Sequence, residues 1–275
     1  MSVSPDETRK PYGPSAHPTL KQLSIVQHNS LGSWDVFLSL FNSFKGLPQS
    51  PQLVFLPDPP FYRNRLPVFS GFKAFAPPPP QGKAVKVADY ISLDFLHSYL
   101  ILPVFFDRLD LMGIDVFTPA GLFCTANRQF RVYNLYSTNS TGPARRTVTL
   151  AVAFCANHFP TLVVGDFNVH HSTSDPLRHI SSNEHAISAP YFDGALDLGY
   201  SLVNTAGVYT RYPFDLSTRP SVLDLAFAST PLAPFISSWD VSLPSTSSDH
   251  LPILIKLSTP HLRPAPPSPD WAKTD

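Results

Sequence analysis

Between residues 22 and 258 the chain alternates short apolar runs with polar punctuation. Residues 23–28, 52–56, 85–92, 111–118, 130–137, 161–165, 222–228 and 251–257 are rich in Val, Ile, Leu, Phe and Tyr, and each run is closed by Asp, Asn, Gly, Pro or Ser. That pattern predicts β-strands. Helical signals are fewer. Ser33 can N-cap a helix carrying Trp34, Phe37, Leu38, Phe41 and Phe44 at the spacing of one helix face. A second helix is expected near Pro143, a residue suited to a first turn, and a third over residues 191–198, closed by Gly199. Many strands with a few interspersed helices predict an α/β fold, two packed sheets with helices outside. Periodicity leaves the topology open.

Composition narrows the picture. The first 21 residues are polar and proline-dotted without a period, and residues 259–275 form a proline-rich tail. Both are expected to lie outside a single domain spanning 22–258, which shows no internal repeat and no separating linker. Of 275 residues 43% are hydrophobic, 21 of them Phe, enough for a substantial packed core. The prolines at 77–80 read as a stiff loop between strands. Twenty basic and twenty acidic side chains cancel, so the chain lacks the basic excess behind strong non-specific phosphate binding, without excluding nucleic acid as a partner. The two cysteines, Cys124 and Cys155, read as inert thiols. The N-terminus has no secretory h-region, and the longest apolar run, around residues 100–106, is too short to cross a bilayer. The expectation is an intracellular protein, nuclear or cytoplasmic, with no membrane partner.

Four strand ends deliver polar residues that packing does not need: Gln27-His28-Asn29, Pro57-Asp58, Gly165-Asp166-Phe167-Asn168 and Ser248-Asp249-His250. Side chains two apart on an extended segment share a face, so Asp166 and Asn168 are expected in one pocket while Phe167 packs the other way. A carboxylate that orients or deprotonates water beside an amide that donates to a phosphate oxygen suits phosphodiester chemistry. Each motif alone is an ordinary turn sequence. Their joint order, spacing and strand context are what carry the signal.

The runs LVVGDFNVHH, RPSVLDLAFAS and SSDHLPILI, preceded in order by LSIVQHNSLGSW, FLPDPP and FRVYNLYSTNS, resemble the endonuclease/exonuclease/phosphatase superfamily. Ser221-Val222-Leu223-Asp224-Leu225 is most similar to the Ser-x-Ile-Asp-Leu strand of LINE-type retrotransposon endonucleases. The likeness spans roughly residues 22 to 258 and implies a four-layered sandwich of two central mixed sheets flanked by helices. It also implies a Mg²⁺-dependent phosphodiester hydrolase (Mn²⁺ as an alternative ion) acting on DNA, and the expected species is a monomer. By motif matching, Asp166 would activate the attacking water, Asn168 would contact the scissile phosphate, and His250 would stabilise or protonate it. Asp224 would orient the imidazole, Tyr136 would contact the phosphate or leaving oxygen, and Asn29, Asp58 and Asp249 would surround the metal. With no reverse-transcriptase segment in it, the chain reads as a detached domain or a fragment.

Departures and rivals stay open at this stage. Where the family's second motif has Gln-Glu, this chain has Pro57-Asp58. The shorter carboxylate displaces its oxygens by about 1.5 Å, in a coordination shell of near-ideal octahedral geometry. A phosphoesterase acting on RNA or a small phosphorylated compound, and a catalytically silent nucleic-acid-binding relic, are the alternatives. His170, His171, His179 and His185 match no common zinc spacing and read as loop histidines. Arg145-Arg146 reads as a solvated helix face or a phosphate contact, and Thr210-Arg211 as DNA-facing or structural.

Overall fold

The structure is a computed structural model that describes residues 22–118, 129–137, 160–241, 243 and 246–258. The expected helix near Pro143, the pair Arg145-Arg146 and both cysteines lie outside the described residues.

Among the described residues twelve strands, numbered along the chain, form two six-stranded sheets. The first contains β1 (Gln22–Gln27), β2 (Leu53–Pro57), β3 (Phe72–Phe75), β4 (Val87–Ser92), β11 (Ile236–Asp240) and β12 (Ile253–Ser258), in the order β11-β12-β1-β2-β4-β3. The second contains β5 (Leu100–Phe105), β6 (Leu111–Phe117), β7 (Gln129–Tyr136), β8 (Thr161–Asp166), β9 (Tyr200–Leu202) and β10 (Asp224–Ser229), in the order β5-β6-β7-β8-β10-β9. Each sheet is mixed, with a parallel pair at its middle (β1 with β2, β7 with β8) among antiparallel neighbours.

Alternation along these strands builds three apolar layers. Leu23, Ile25, Leu53 and Phe55 of the first sheet meet Val132, Leu162, Val164, Ala226 and Ala228 of the second in the central core. The intervening Val26, Val54 and Leu56 face α1 (Trp34–Ser43), and Tyr133, Leu135, Val163, Leu225 and Phe227 pack with Tyr191, Phe192 and Ala195 of a long helix. Helix, sheet, sheet and helix make the four-layered α/β sandwich. Because both faces of the central strands are buried, those strands read as continuous apolar runs.

The helices differ in detail from the sequence pattern. Ser33 does cap α1, accepting from the Val36 N–H, but the buried face is Val36, Phe37, Leu40 and Phe41, while Trp34 and Leu38 are exposed. A short α2 (Leu93–Ser98) follows β4. The third helix, α3, runs Ser182–Asp197 rather than starting near residue 191. A capping box between Ser181 and Glu184 starts it, and Pro190 sits inside it. Its first half is polar and interrupted by proline, so only the second half carries an apolar signal. The apolar run at 100–106 forms the edge strand β5, where Pro103 can lack an N–H without breaking a central ladder. Among the described residues no helix is long and apolar enough to cross a membrane.

Gly165 positions the most polar strand end of the second sheet. Its φ is +153°, and a Cβ there would lie 2.0 Å from the Leu135 carbonyl oxygen of parallel strand β7. No side chain fits that approach. Gly165→Ala is therefore expected to push β8 from β7 and to destabilise the protein by at least about 1–3 kcal/mol, the usual scale of local backbone strain. Urea unfolding of the two proteins measures this, and an unchanged midpoint would show that β8 is not held by that contact.

Candidate active site

The site forms where strand ends of both sheets converge. Asp224 opens β10 and is fully buried. Its Oδ2 lies 2.7 Å from His250 Nδ1, and its Oδ1 accepts from Gln27 Nε2 of β1 at 2.9 Å. Thr210 Oγ1 accepts from the backbone N–H groups of Leu223 and Asp224, both at 3.0 Å. The Leu251 N–H donates to the Thr210 carbonyl, and Arg211 bridges to both Ser221 and His250. Thr210 thus holds the strand that presents Asp224 and the strand that follows His250.

Asp166 ends β8 and is almost completely buried. Its Oδ2 accepts from Asn29 Nδ2 at 2.8 Å and Asn168 Nδ2 at 3.0 Å, and its Oδ1 accepts from the Asn168 backbone N–H at 3.0 Å. Asn168 is not extended: its φ is +50°. The expected period of two thus fails at its last step. A left-handed turn returns the amide to Asp166, while Phe167 packs into the core on the α3 side as expected. The second Asn168 amide proton goes to the Ser137 carbonyl at 2.8 Å, so this side chain holds Asp166 in place.

Asp249 and Asp58 each meet a basic side chain. Arg211 Nε donates to Asp249 Oδ2 at 2.7 Å, and Lys86 Nζ donates to Asp58 Oδ1 at 2.8 Å. Asp249 Oδ1 is buried without a hydrogen-bond partner among the described residues, 3.8 Å from His250 Nε2. Asp58 makes no hydrogen bond to the Asp166 cluster among the described residues. It approaches the cluster electrostatically through Tyr136, whose hydroxyl is held in its neutral form by burial and then by Asp58 and Asp166. Tyr136 ends β7 directly opposite Asp166 in the ladder. His170 and His171 lie beyond Asn168, and the His171 ring stacks on Phe192 at 4.0 Å, a packing role.

Burial and charge set the protonation states. Burial raises Asp166 to about 7, Asp224 adds to the rise, and His250, Asn29 and the Asn168 N–H oppose it. Burial resists charging of His250, but Asp224, Asp166 and Asp249 together push it up to about 9. His28, fully buried next to this centre, is lowered to about 3, mainly by burial, and its Nε2 lies 2.9 Å from Thr246 Oγ1. The centre therefore favours a charged His250 and a neutral His28, and it makes Asp166 much harder to ionise than an ordinary carboxyl.

Ligand-type atoms of Asp166, Asp224 and His250 lie within 4.8 Å of one another, a cluster that could hold a metal. The sequence nominated Asn29, Asp58 and Asp249 instead. The buried Asp249 Oδ1, without a hydrogen-bond partner among the described residues, is a hard oxygen donor of the kind a divalent cation takes. Gln27, which donates to Asp224, and Lys86 had no assigned role, nor did Ser248, whose hydroxyl donates to the Asn29 carbonyl and accepts from the His250 N–H. Gln27 and Ser248 were visible as polar strand-end residues. Lys86 carried no signal, being 28 residues from Asp58.

With its two-sheet sandwich and acidic and imidazole groups at one rim, the chain resembles the endonuclease/exonuclease/phosphatase superfamily and, within it, LINE-type endonucleases. Residues 130–254 match the family model described as endonuclease-reverse transcriptase. Among solved structures, the endonuclease domain of TRAS1, a telomere-specific non-LTR retrotransposon, is similar at TM-score 0.68 and 15% identity, covering 86% of this chain and 99% of that one. The AP endonuclease LMAP from Leishmania major is similar at 0.65 and 12%, covering 87% and 89%. The 3'-5' exonuclease NExo from Neisseria meningitidis gives 0.60 and 16%, covering 86% and 100%. A search of curated proteins finds no match in sequence.

The imidazolium predicts a pH dependence of stability. The folded His250 pKa of about 9 exceeds the unfolded 6.5, so its contribution is complete below 6.5 and is lost as pH rises through 9. Asp166 and Asp89, both raised to about 7, are ionised above that value in the folded state. Between pH 7.5 and 9 His250 contributes a slope of at most about 1.4 kcal/mol per pH unit in metal-free protein. Urea unfolding in EDTA should show stability falling across this range and a flatter profile in His250→Gln. Parallel profiles would mean that His250 is not charged in the fold.

Proposed function

We propose that the protein is a divalent-metal-dependent phosphodiesterase that nicks DNA, of the retrotransposon endonuclease type. The observation that carries this reading is the convergence of Asp166, Asp224 and His250, from three distant parts of the chain, on one buried centre. DNA as substrate is supported by the neighbours: one is described as an AP endonuclease, and NExo as bound to a product DNA hairpin.

Asp166, with a pKa near neutrality, serves as the base that orients and deprotonates water. Asn29 and Asn168 hold its carboxylate in a fixed orientation. His250 donates its Nδ1–H to Asp224, which leaves the Nε2–H directed at the phosphate, where it neutralises developing charge or supplies a proton. Tyr136, neutral and half-buried, donates to a phosphate or leaving oxygen. Asp249 and Asp58, with Asn29, would hold Mg²⁺ or Mn²⁺, and such an ion when bound supplies Lewis-acid polarisation of a phosphate oxygen. In the structure the Asn29 Nδ2 donates to Asp166 and its Oδ1 accepts from the Leu31 N–H, which leaves a second lone pair on Oδ1 for a cation.

A second reading, a silent nucleic-acid binder, is favoured by the engagement of Asp58 with Lys86. Supercoiled plasmid incubated with purified protein and Mg²⁺, then with EDTA, separates the two. Metal-dependent nicking is expected. Asp166→Ala and His250→Ala should each lower it by about 10²–10⁴-fold, and the double variant should be little worse than the poorer single one. A cooperatively folded wild type that binds DNA without nicking it establishes the silent reading.

A further inference from the structure

The carboxylates of the cleft are not equally neutralised. Asp224 pairs with His250, Asp249 with Arg211 and Asp58 with Lys86, whereas Asp166 receives only the neutral donors Asn29 and Asn168. Three of four carboxylates thus carry a cation supplied by the chain. Of these cations Lys86 stands where the sequence leads one to expect a divalent ion.

The position of Lys86 is built by the backbone. Its carbonyl accepts the Asp58 N–H at 2.8 Å, and its own N–H donates to the Leu109 carbonyl at 2.8 Å. Its ammonium lies 2.8 Å from Asp58 Oδ1 and 5.5 Å from the centre of the Tyr136 ring. Asp58 is fixed as well: its φ is +44°, and its carbonyl accepts from Ser30 Oγ at 2.9 Å and the Gly32 N–H at 2.7 Å. These bonds fix the backbone from which the Asp58 carboxylate departs. The two side chains are nevertheless 38% and 22% exposed, so solvent screens the pair and a denser charge can displace it.

We propose that Lys86 is a tethered counter-ion of Asp58 that competes with the divalent cation, so that metal affinity in this chain is set by the contest between the ammonium and the free ion. The inference rests on the metal-dependent reading of the same cleft. Lys86 acts through Asp58 and is a positioning residue. A purely structural role predicts that removing it weakens the site, whereas competition predicts that removing it strengthens metal binding.

Mn²⁺ binding to the full chain, followed by the paramagnetic resonance of the free ion, tests this in wild type, Lys86→Met, Lys86→Gln, Asp58→Asn and the double variant Lys86→Met/Asp58→Asn. Both Lys86 variants should bind Mn²⁺ about two- to fivefold more tightly, the scale of losing a partly exposed ion pair. The gain should vanish in the Asp58→Asn background. Unchanged or weaker binding in both variants overturns the proposal. So does an equal gain without Asp58, which would be a general charge effect, and so does loss of cooperative melting in both variants. The nuclease reading fails separately: a protein whose Mn²⁺ affinity responds to Lys86 through Asp58 but which never nicks plasmid keeps the counter-ion and loses the enzyme. Metal-dependent nicking with no Lys86 effect on binding does the reverse.

Discussion

Asp224 carries a carboxylate into the fully buried space between two sheets, and the surrounding architecture exists in large part to make that tolerable. An isolated buried charge is costly, and it persists only when paired and hydrogen-bonded. Gln27 of the first sheet satisfies one oxygen, His250 satisfies the other, and Thr210 holds the backbone from which the side chain departs. These partners lie 197, 26 and 14 residues away in sequence. Stacking of the sheets thereby becomes a condition for the charge, and the charge becomes a condition on how the sheets stack.

A second polar link lies within the same interface. Asn134 of β7 donates to Asp89 of β4 at 2.8 Å and also reaches the Ala88 carbonyl at 3.2 Å. Burial raises Asp89 to about 7, with Asn134 opposing. Apolar packing alone would let two flat faces slide over one another, because dispersion and the hydrophobic effect have little directionality. Two polar pins near the site end set the offset, so the strand ends bearing Asn29, Asp166 and His250 meet at one rim.

The electrostatics of that rim follow from the same economy of neighbours. One imidazole is charged, and its neighbour His28 is kept neutral chiefly by its complete burial, with the charge on His250 adding to the effect. Asp166 is raised to about 7 by burial and by Asp224, with His250 and the neutral donors Asn29 and Asn168 only partly opposing the rise. Asp58, too, carries a counter-ion supplied by the chain, Lys86. A neutral net composition gave no hint of this, because the charges are balanced pair by pair within the cleft rather than over the surface.

The local chemistry of the chain was readable in one dimension. Alternation and strand punctuation show eight of the strands, Ser33 shows the start of α1, and the polar residues following Val26, Val164 and Ser248 show where the chemistry is delivered. Local rules reach that far because strand period and capping depend on residues within a few positions. β3, β5, β9 and β11 were missed, as edge strands or edge neighbours with a half-exposed or very short apolar pattern. The first half of α3 was missed because its start rests on a polar capping box. The left-handed turn at Asn168, the Gln27 and Thr210 supports of Asp224, and the Lys86–Asp58 pair depend on contacts between distant segments. Sequence alone determined which residues carry charge, hydrogen bonds and apolar area. Only the packing of the two sheets decided which of those groups face one another, because the energy of a buried polar group is set by its partners in space and not by its neighbours along the chain.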